Sequence, residues 1–325
     1  MANEPDVVVL REGTEGLSTE PYKKELETRL PDHEIRRAAT AREERDLIAN
    51  ARVVTGVRID EALLGHAENL DLFACAFAGT EHLPMRKLEK RGVAVTNAGG
   101  IHAPGIAEGV LGNMLVFARR LHEGWRRKQG REWRHFQSGE LTGSTVTIVG
   151  LGSIGRALTQ RLEGMEVETI GVRYSPEKGG PTDEVIGFEE EALHDALART
   201  DYLAIACPLT ETTRGLIGEA EFATLPPEAV VINVARGPII DTDALVRAIR
   251  SNGIRGAALD VTDPEPLPPE HVLWTFENVL ITPHTGGHTP RHWERLAEIV
   301  AGNVERLDRG KDLEEFDNLV LAPGP

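Results

Sequence analysis

The sequence predicts an α/β protein with two doubly wound domains, each built on a parallel sheet. Short apolar runs alternate with amphipathic stretches along the chain, which is the pattern of strands covered by helices on both faces. A second series of apolar runs begins at Thr145, after a long helical pattern over residues 103–122. The length of 325 residues is also enough for two domains of roughly 100 to 200 residues each.

The apolar runs place the predicted elements in order. The first series predicts strands at 7–10, 52–55, 72–76 and 93–96, with helices at 19–30 and 83–90. The second series predicts strands at 145–149, 168–172, 202–206, 230–234, 256–259 and 279–282. A last helical stretch, 290–309, follows the second series, and its most economical place is on the first domain. We therefore expect one discontinuous domain, 1–99 with 288–325, and a second domain over 100–287.

The acidic composition limits the classes of partner. Lysine and arginine total 36 against 52 aspartates and glutamates, which gives a formal net charge of −16. Such a charge repels nucleic acid and anionic membranes, so we expect neither as a partner. Only seven of the basic residues are lysines. A high content of acidic residues with few lysines favours a halophilic protein, because concentrated salt screens the repulsion between the negative charges. The alternative is an acidic protein that works at ordinary salt concentration.

The sequence carries no targeting, membrane or metal signal. Residues 1–10 lack a basic stretch followed by an apolar core, and no apolar run approaches the ~18 residues of a membrane span. The two cysteines, Cys75 and Cys207, are far apart, and no His or carboxylate cluster has metal-ligand spacing. We expect a cytoplasmic protein without a disulfide or a metal site.

A glycine-rich turn follows the first strand of the second series. Residues 150–155 read Gly-Leu-Gly-Ser-Ile-Gly, between the strand at 145–149 and a helical pattern at 156–162. Gly150 would make the tight turn, Gly152 would let the backbone approach a pyrophosphate, and Gly155 would let helix and strand pack closely. The free N–H groups of the helix N-terminus favour the diphosphate. This context predicts a dinucleotide-binding site.

The next strand indicates which dinucleotide binds. An NAD site places an acidic side chain near this strand end, about 20 residues after the turn, to bind the ribose hydroxyls. Here the strand ends with Arg173, Tyr174 and Ser175, and Lys178 follows. Arg173 could bond to and stack on a 2′-phosphate, while Ser175 and Lys178 add a donor and a charge. The cluster predicts NADP, with NAD as the weaker cofactor; a solvent-facing Arg173 is the alternative.

Three polar residues follow successive strands of the second series. Arg236 comes after the strand at 230–234, Glu265 after the strand that ends at Asp260, and His284 after 279–282. Parallel strands share one carboxyl edge, where ligands bind, so the three side chains could converge above the cofactor. A protonated imidazole can donate a proton, a carboxylate can orient it and favour its charge, and a guanidinium can hold a carboxylate. The trio predicts reduction of a 2-keto acid by hydride transfer, with His284 as the proton donor.

Seven short motifs, spread over nearly the whole chain, indicate a resemblance to a known protein family. They are AGTEHL at 78–83, VTNA at 95–98, GLGSIG at 150–155, PLTETT at 208–213, NVARG at 233–237, DVTDPEP at 260–266 and TPHTGG at 282–287. With these motifs the chain resembles the D-isomer-specific 2-hydroxyacid dehydrogenase family. Arg236, Glu265 and His284 match its catalytic positions. The resemblance implies a flavodoxin-like substrate domain and a Rossmann dinucleotide domain flanking a cleft, usually in a homodimer.

The resemblance also implies the ligand contacts. Ala78, Gly79 and Thr80 match the loop whose backbone amides hold the substrate carboxylate, together with Arg236. Asp260 matches the acid near the nicotinamide carboxamide, and Cys207 is expected to be a small packing residue and not a nucleophile. The implied cofactor contacts are Gly150, Gly152, Ser153, Ile154, Gly155, Arg173, Tyr174, Ser175, Lys178, Cys207, Pro208, Thr213, Val234, Ala235, Arg236, Asp260, His284 and Gly286.

Several alternatives stay open at this point. Thr80 and Glu81 stand where a small apolar residue and Asp are more usual, which leaves the size of the substrate open among glyoxylate, hydroxypyruvate and bulkier keto acids. Trp125, Trp133 and Phe136 lie in a stretch that in this family often packs against the partner subunit, but they could equally be intrachain core. The rival functions are a relative acting on formate, phosphite or phosphoglycerate, and a cofactor-sensing binding protein.

Overall fold

The computed structural model describes residues 5–14 and 16–323. These residues form thirteen β-strands and eleven α-helices. The chain divides into two compact units, Met1–Ile101 with His288–Pro325 and His102–Gly287. Each unit is built on one sheet. The sheet of the second unit is parallel throughout, and the sheet of the first unit has one antiparallel edge strand, so the predicted fold class of two doubly wound α/β domains is confirmed.

The first unit begins with alternating strands and helices. Their bounds are β1 Val7–Val9, α1 Glu20–Arg29, β2 Ile35–Arg37, α2 Ala41–Ile48, β3 Val53–Gly56, α3 Glu61–Leu64, β4 Leu72–Cys75, α4 Met85–Lys90 and β5 Ala94–Thr96. The strands run parallel in the order β5-β4-β3-β1-β2, which is the doubly wound order of flavodoxin-like folds. Successive side chains of β1 point to opposite faces: Val7 and Val9 pack with α1, and Val8 packs with α2, α3 and α4.

The end of the chain returns to this first unit. Helix α11 spans His292–Asp308, and strand β13, Leu319–Leu321, pairs antiparallel with β5. The rings of Tyr22 in α1 and Trp293 in α11 stack with their centroids 4.8 Å apart. The Tyr22 hydroxyl also lies 2.8 Å from the hydroxyl of Thr55, inside the core. Helix α11 therefore completes a hydrophobic layer that begins at the other end of the sequence.

The second unit contains the remaining elements. Their bounds are α5 Ala103–Ala118, α6 Leu121–Gln129, β6 Thr145–Val149, α7 Ser153–Leu162, β7 Glu168–Val172, β8 Glu184–Ile186, α8 Glu190–Leu197, β9 Tyr202–Ile205, α9 Glu219–Thr224, β10 Val230–Asn233, α10 Thr242–Arg250, β11 Gly256–Leu259 and β12 Val279–Ile281. All strands are parallel, in the order β12-β11-β10-β9-β6-β7-β8. The order reverses between β6 and β9, and ligands of such sheets bind outside the carboxyl ends at this switch point.

The structure differs from the sequence prediction in its short elements. Strands β2, β8 and β13 were not predicted, because none of them is a buried apolar run; only Ile35 of β2 is buried, and β8 is half-buried throughout. The single helix predicted over 103–122 is instead the pair α5 and α6. Arg120 lies between them with φ of 51°, a left-handed conformation that ends α5.

Within the described ranges, no helix has both the length and the apolar character that crossing a membrane requires. The longest is α11, with 17 residues. It carries charged side chains along its length and buries one face on the first unit.

Candidate active site

Three neighbouring strands of the second unit end together at one edge of its sheet. Strands β10, β11 and β12 are parallel and in register through their last residues. Arg236, Asp260 and His284 each follow one of these strands within three residues, and Glu265 lies in the loop between β11 and β12. The fold therefore places polar side chains from distant parts of the sequence along one short stretch of the ligand-binding edge.

The imidazole of His284 and the carboxylate of Glu265 form a hydrogen bond. Nδ1 of His284 lies 2.6 Å from Oε1 of Glu265. An ionised carboxylate only accepts, so the proton of this bond belongs to Nδ1, and Nε2 is the ring nitrogen left to exchange a proton with a ligand. The two side chains are 48% and 41% exposed, so a small molecule can reach them. The pair has the arrangement of an oriented general acid or base.

The buried carboxylate of Asp260 holds the loop that carries His284. Its Oδ1 accepts hydrogen bonds from the Thr282 hydroxyl and from the Thr285 amide at 3.0 Å, and its Oδ2 accepts one from the Gly286 amide at 2.9 Å. These bonds hold His284 at φ of 52°, in the left-handed region that side chains other than glycine rarely adopt. A Cβ at position 286 would lie 2.7 Å from Oδ2, so only glycine allows this approach.

The loop after β10 carries the exposed Arg236. Its guanidinium Nη1 donates to the preceding carbonyl at 2.7 Å, and its own carbonyl accepts from the buried side-chain amide of Asn233 at 3.0 Å. A Cβ on Gly237 would lie 2.0 Å from the carbonyl oxygen of Thr262. The backbone of the Arg236 loop therefore packs directly against the loop that leads to Glu265.

Two threonines that sequence reasoning missed hold the loop of Glu265. The hydroxyl of Thr242 donates to the carbonyl of Asp263, and that of Thr262 donates to the carbonyl of Pro264, both at 2.9 Å. Thr242 opens helix α10, 21 residues before its acceptor. Its position after Asp241, which caps that helix, signals a helix start but nothing about the Glu265 loop.

A cavity of about 320 Å³ opens beside the His284–Glu265 pair. Its other lining residues are mainly apolar: Pro266, Leu267, Trp274, Ile281 and Pro283, with Asp260, Thr262 and Thr282. A larger cavity, about 560 Å³, lies along residues 124–136 and contains none of the polar groups described above. The smaller cavity is therefore the one placed for chemistry.

The glycine-rich turn after β6 uses its glycines in two ways. Gly150 has φ of 103°, and a Cβ there would lie 2.8 Å from the backbone of Cys207. A Cβ on Gly155 would lie 2.0 Å from the carbonyl oxygen of Gly150. A Cβ on Gly152, in contrast, would meet no atom within 4 Å. The chain itself requires the first and third glycines, whereas the space at Gly152 is open to a ligand.

The first turn of helix α7 presents unpaired backbone donors. Gly152 stands at its N-cap without a side-chain cap, and Ser153 and Ile154 open the helix. In the part of the chain that the structure describes, the amides of residues 152–155 donate to no other group. Unpaired N–H groups and the helix dipole make such a terminus favourable for a phosphate.

A basic cluster follows strand β7 at the same edge of the sheet. Nη1 of Arg173 donates to the carbonyl of Gly179 at 2.6 Å, which holds the guanidinium beside the short turn at 176–178. Its other guanidinium N–H groups have no partner among the described residues. Tyr174 is 82% exposed, Ser175 is half-buried, and Lys178 is exposed on the turn. No acidic side chain stands at the end of β7 to meet ribose hydroxyls.

The loop after β9 packs on the glycine-rich turn. Cys207 is buried, and burial raises the pKa of its thiol to about 11, so the thiol is neutral at physiological pH. The hydroxyl of Thr213 donates to the carbonyl of Pro208 at 2.7 Å and closes the loop on itself. Val234 and Ala235 follow β10 at the same edge. Cys207 therefore lies among packed atoms, and the Thr213 hydroxyl is hydrogen-bonded within its own loop.

In the first unit, Ala78, Gly79 and Thr80 form a loop after β4, which we call the amide loop. None of its three backbone amides donates a hydrogen bond to another described residue. The side-chain Nδ2 of Asn97, a residue that sequence reasoning did not single out, donates to the carbonyl of Ala78 at 2.5 Å and fixes the loop. Successive unpaired N–H groups are suited to an anion such as a carboxylate.

Comparison with known proteins identifies the family. Residues 111–286 match the family described as D-isomer specific 2-hydroxyacid dehydrogenase, NAD binding domain. The chain is 35% identical to a glyoxylate reductase of Thermofilum pendens over 78% of this chain and 76% of that protein. It is 33% identical to a glyoxylate reductase of Thermococcus litoralis over 86% of this chain and 87% of that protein.

A solved structure extends the similarity to the whole fold. It is a D-isomer specific 2-hydroxyacid dehydrogenase from Xanthobacter autotrophicus in complex with NADPH and MES, with a TM-score of 0.76. The two proteins share 26% identity, and the match covers 98% of each chain. Together with the Rossmann-type strand order of the second unit, these matches show that the chain belongs to the D-isomer specific 2-hydroxyacid dehydrogenase family.

Proposed function

We propose that this protein is an NADPH-dependent reductase that converts a small 2-keto acid into the D-2-hydroxy acid. The observation that carries the proposal is the hydrogen bond of 2.6 Å between His284 and Glu265 at the carboxyl edge of the Rossmann sheet. The reaction needs a hydride, a proton for the new alkoxide and a cation for the substrate carboxylate. The bound nicotinamide supplies the hydride, and the chain supplies the other two.

Each polar group of the edge has a role in this reaction. Nε2 of His284 donates the proton, because its Nδ1 is already bonded to Glu265. The carboxylate of Glu265 orients the ring by accepting the proton of Nδ1. Asp260 keeps the His284 loop in place through its three hydrogen bonds. Arg236 binds the carboxylate with its planar fork and polarises the reacting carbonyl.

We assign the amide loop of the first unit to binding of the substrate carboxylate. The three unpaired amides of Ala78, Gly79 and Thr80 support this assignment. The relatives from Thermofilum pendens and Thermococcus litoralis are glyoxylate reductases, which supports glyoxylate and hydroxypyruvate as the first substrates to test. We assign reduction as the cellular direction because NADP is usually kept reduced.

The cofactor preference rests on the basic cluster after β7. Arg173 is anchored at one nitrogen and keeps free N–H groups, and Ser175 and Lys178 lie within five residues of it. These groups would bind a 2′-phosphate, whereas no carboxylate directly follows β7 to bind the ribose hydroxyls of NAD. The NADPH complex of the relative from Xanthobacter autotrophicus supports the same choice.

We further propose a homodimer that uses residues 119–135. This segment carries six arginines and one lysine against two glutamates, in a chain of net charge −16. Trp133 is 98% and Trp125 62% exposed, so neither belongs to a core within the chain, whereas Phe136 packs under Arg120 and Arg127. Exposed aromatics and arginines are enriched at interfaces, and the acidic surface of a second copy offers the complementary charge.

The same charge balance supports work in concentrated salt. A surface of net charge −16 repels itself in dilute buffer, and molar salt with a Debye length of about 3 Å screens that repulsion. The two cysteines are free and buried, which suits the reducing cytoplasm in which we place the enzyme.

Replacing His284 tests the proposed chemistry directly. His284→Ala should lower kcat for glyoxylate and hydroxypyruvate on the order of 10²- to 10⁴-fold, because the proton donor is lost, while the dissociation constant for NADPH stays nearly unchanged. Initial rates of NADPH oxidation and a fluorescence titration measure the two quantities. His66→Ala, at an exposed histidine of the first unit, should change neither. Wild-type turnover in His284→Ala would remove the residue from the mechanism, and NADPH binding without any turnover in the wild type would favour a cofactor-sensing protein.

Two glycine variants distinguish the glycine that the fold of the turn requires from the glycine that leaves space for the ligand. Gly150→Ala should destabilise the protein by at least about 1 kcal/mol, because φ of 103° is unfavourable for alanine and the new Cβ meets Cys207. Gly152→Ala should leave stability unchanged, since its Cβ meets nothing, yet weaken NADPH binding by occupying the space for the pyrophosphate. Urea unfolding and NADPH titration measure both effects. Unaltered NADPH affinity in Gly152→Ala would contradict a pyrophosphate at this position.

The basic cluster predicts a cofactor-selective defect. Arg173→Ala should raise the KM for NADPH about tenfold to a hundredfold, the value of a charge-assisted hydrogen bond, and leave the KM for NADH nearly unchanged. Arg250→Ala is the matched control, because it removes the same charge at the C-terminal end of α10, away from the carboxyl edge. Equal losses with both cofactors would indicate a folding defect and contradict the assignment.

A further inference from the structure

Two contacts join the amide loop to the segment that follows strand β5. The side-chain Nδ2 of Asn97 donates to the carbonyl of Ala78 at 2.5 Å. The backbone amide of Ala98 donates to the carbonyl of Phe77 at 3.0 Å. Two successive carbonyl groups of the loop therefore point toward residues 97 and 98. All four residues belong to the first unit, so the arrangement is complete within one compact unit.

The two carbonyl contacts fix the direction of two backbone amides. The peptide bonds that follow Phe77 and Ala78 are trans, and in a planar trans peptide the C=O and N–H groups point in opposite directions. The amides of Ala78 and Gly79 therefore point away from residues 97 and 98. Neither amide donates to another described residue, so both can bind an anion on the opposite side of the loop.

Asn97 is itself held at a defined position. Its Oδ1 accepts a hydrogen bond from the amide of Gly99 at 3.0 Å, which closes a local turn. Its backbone amide donates to the carbonyl of Asn318 at 3.1 Å. The side chain of Asn318 donates to the carbonyls of Asn97 and Gly99, at 3.1 Å and 2.8 Å. Of the hydrogen bonds that Asn97 makes here, only the one from Nδ2 reaches the amide loop.

A purely structural role for Asn97 is the alternative explanation. The local turn uses only Oδ1, and a serine hydroxyl can accept the same hydrogen bond from the Gly99 amide. The donor Nδ2 is needed at the carbonyl of Ala78, where no other described group donates. A carboxamide at position 97 is therefore required by the amide loop and not by the turn that contains it.

We propose that Asn97 is a positioning residue of the substrate site, which directs the amide of Gly79 at the substrate carboxylate. The inference rests on the proposed function, in which the amide loop binds that carboxylate. Without the donor from Asn97, the peptide plane between Ala78 and Gly79 can rotate, and a hydrogen bond weakens as its N–H group turns away from the acceptor. Loss of this donor therefore weakens substrate binding and leaves the glycine-rich turn of the second unit unchanged.

Asn97→Ser tests the proposal. The serine hydroxyl still accepts from the Gly99 amide but is too short to reach the carbonyl of Ala78. We expect the KM for glyoxylate to rise about tenfold, the value of one charge-assisted hydrogen bond, with kcat and the dissociation constant for NADPH nearly constant. The inhibition constant of oxamate, an unreactive amide analogue of a 2-keto acid, should rise by the same factor because oxamate offers the same carboxylate.

Asn278→Ala is the matched control. Asn278 also uses Nδ2 on a backbone carbonyl, that of Arg255 at 2.8 Å, but it lies in the second unit, directly before β12. Its substitution removes a hydrogen bond of the same type without touching the amide loop. The KM for glyoxylate and the inhibition constant of oxamate should keep their wild-type values. Equal changes in Asn97→Ser and Asn278→Ala, or a wild-type KM in Asn97→Ser, would overturn the proposal.

Asn97→Asp provides a second variant in case the serine variant is too unstable to assay. Aspartate keeps the shape of the side chain and the acceptor for the Gly99 amide, but its carboxylate cannot donate to the carbonyl of Ala78. The assay is run in 1 M KCl, where a Debye length of about 3 Å screens the added charge, and the KM for glyoxylate should again exceed that of wild type. A wild-type KM in this variant would contradict the inference alone, whereas a wild type that reduces no keto acid would contradict the proposed function.

Discussion

The carboxylate of Asp260 is the interaction on which the candidate site depends. It directly follows β11, is buried, and accepts three hydrogen bonds from residues 282–286, which follow the neighbouring strand β12. A buried charge is tolerated only when such donors satisfy it. Here the donors belong to the loop of His284, so satisfying the charge also fixes the histidine at φ of 52°. The proposed proton donor is thus positioned by a requirement of the core.

The two sheets present different groups to an anionic ligand. The second unit offers side chains at its carboxyl edge and the unpaired amides of residues 152–155, and the first unit offers the amides of residues 78–80. Backbone amides bind an anion without adding a charge, which suits a chain that carries −16 overall. Side-chain charge is then used locally, as a cation at Arg173.

The sequence predicted the features that a local pattern of residues determines. It did not predict the contacts that join residues far apart in the chain. The buried strands, the glycine-rich turn and the family were predicted, because apolar runs and motifs are local signals. The edge strands β2, β8 and β13 lack such runs, and Arg120 gives no local sign of the break after α5. The roles of Thr242 and Asn97 depend on hydrogen bonds to carbonyls 21 and 19 residues away. The predicted ligand contacts remain proposals.

The most direct test of the central claim follows a labelled hydride. Hydroxypyruvate is reduced in molar KCl with NADPH that carries deuterium at the transferable C4 position, and the product is examined by mass spectrometry and chiral chromatography. The proposed function predicts D-glycerate with one deuterium at C2, formed in equal amount to the cofactor oxidised. Unlabelled product, the L-isomer, or bound cofactor that is never oxidised by any 2-keto acid would contradict it.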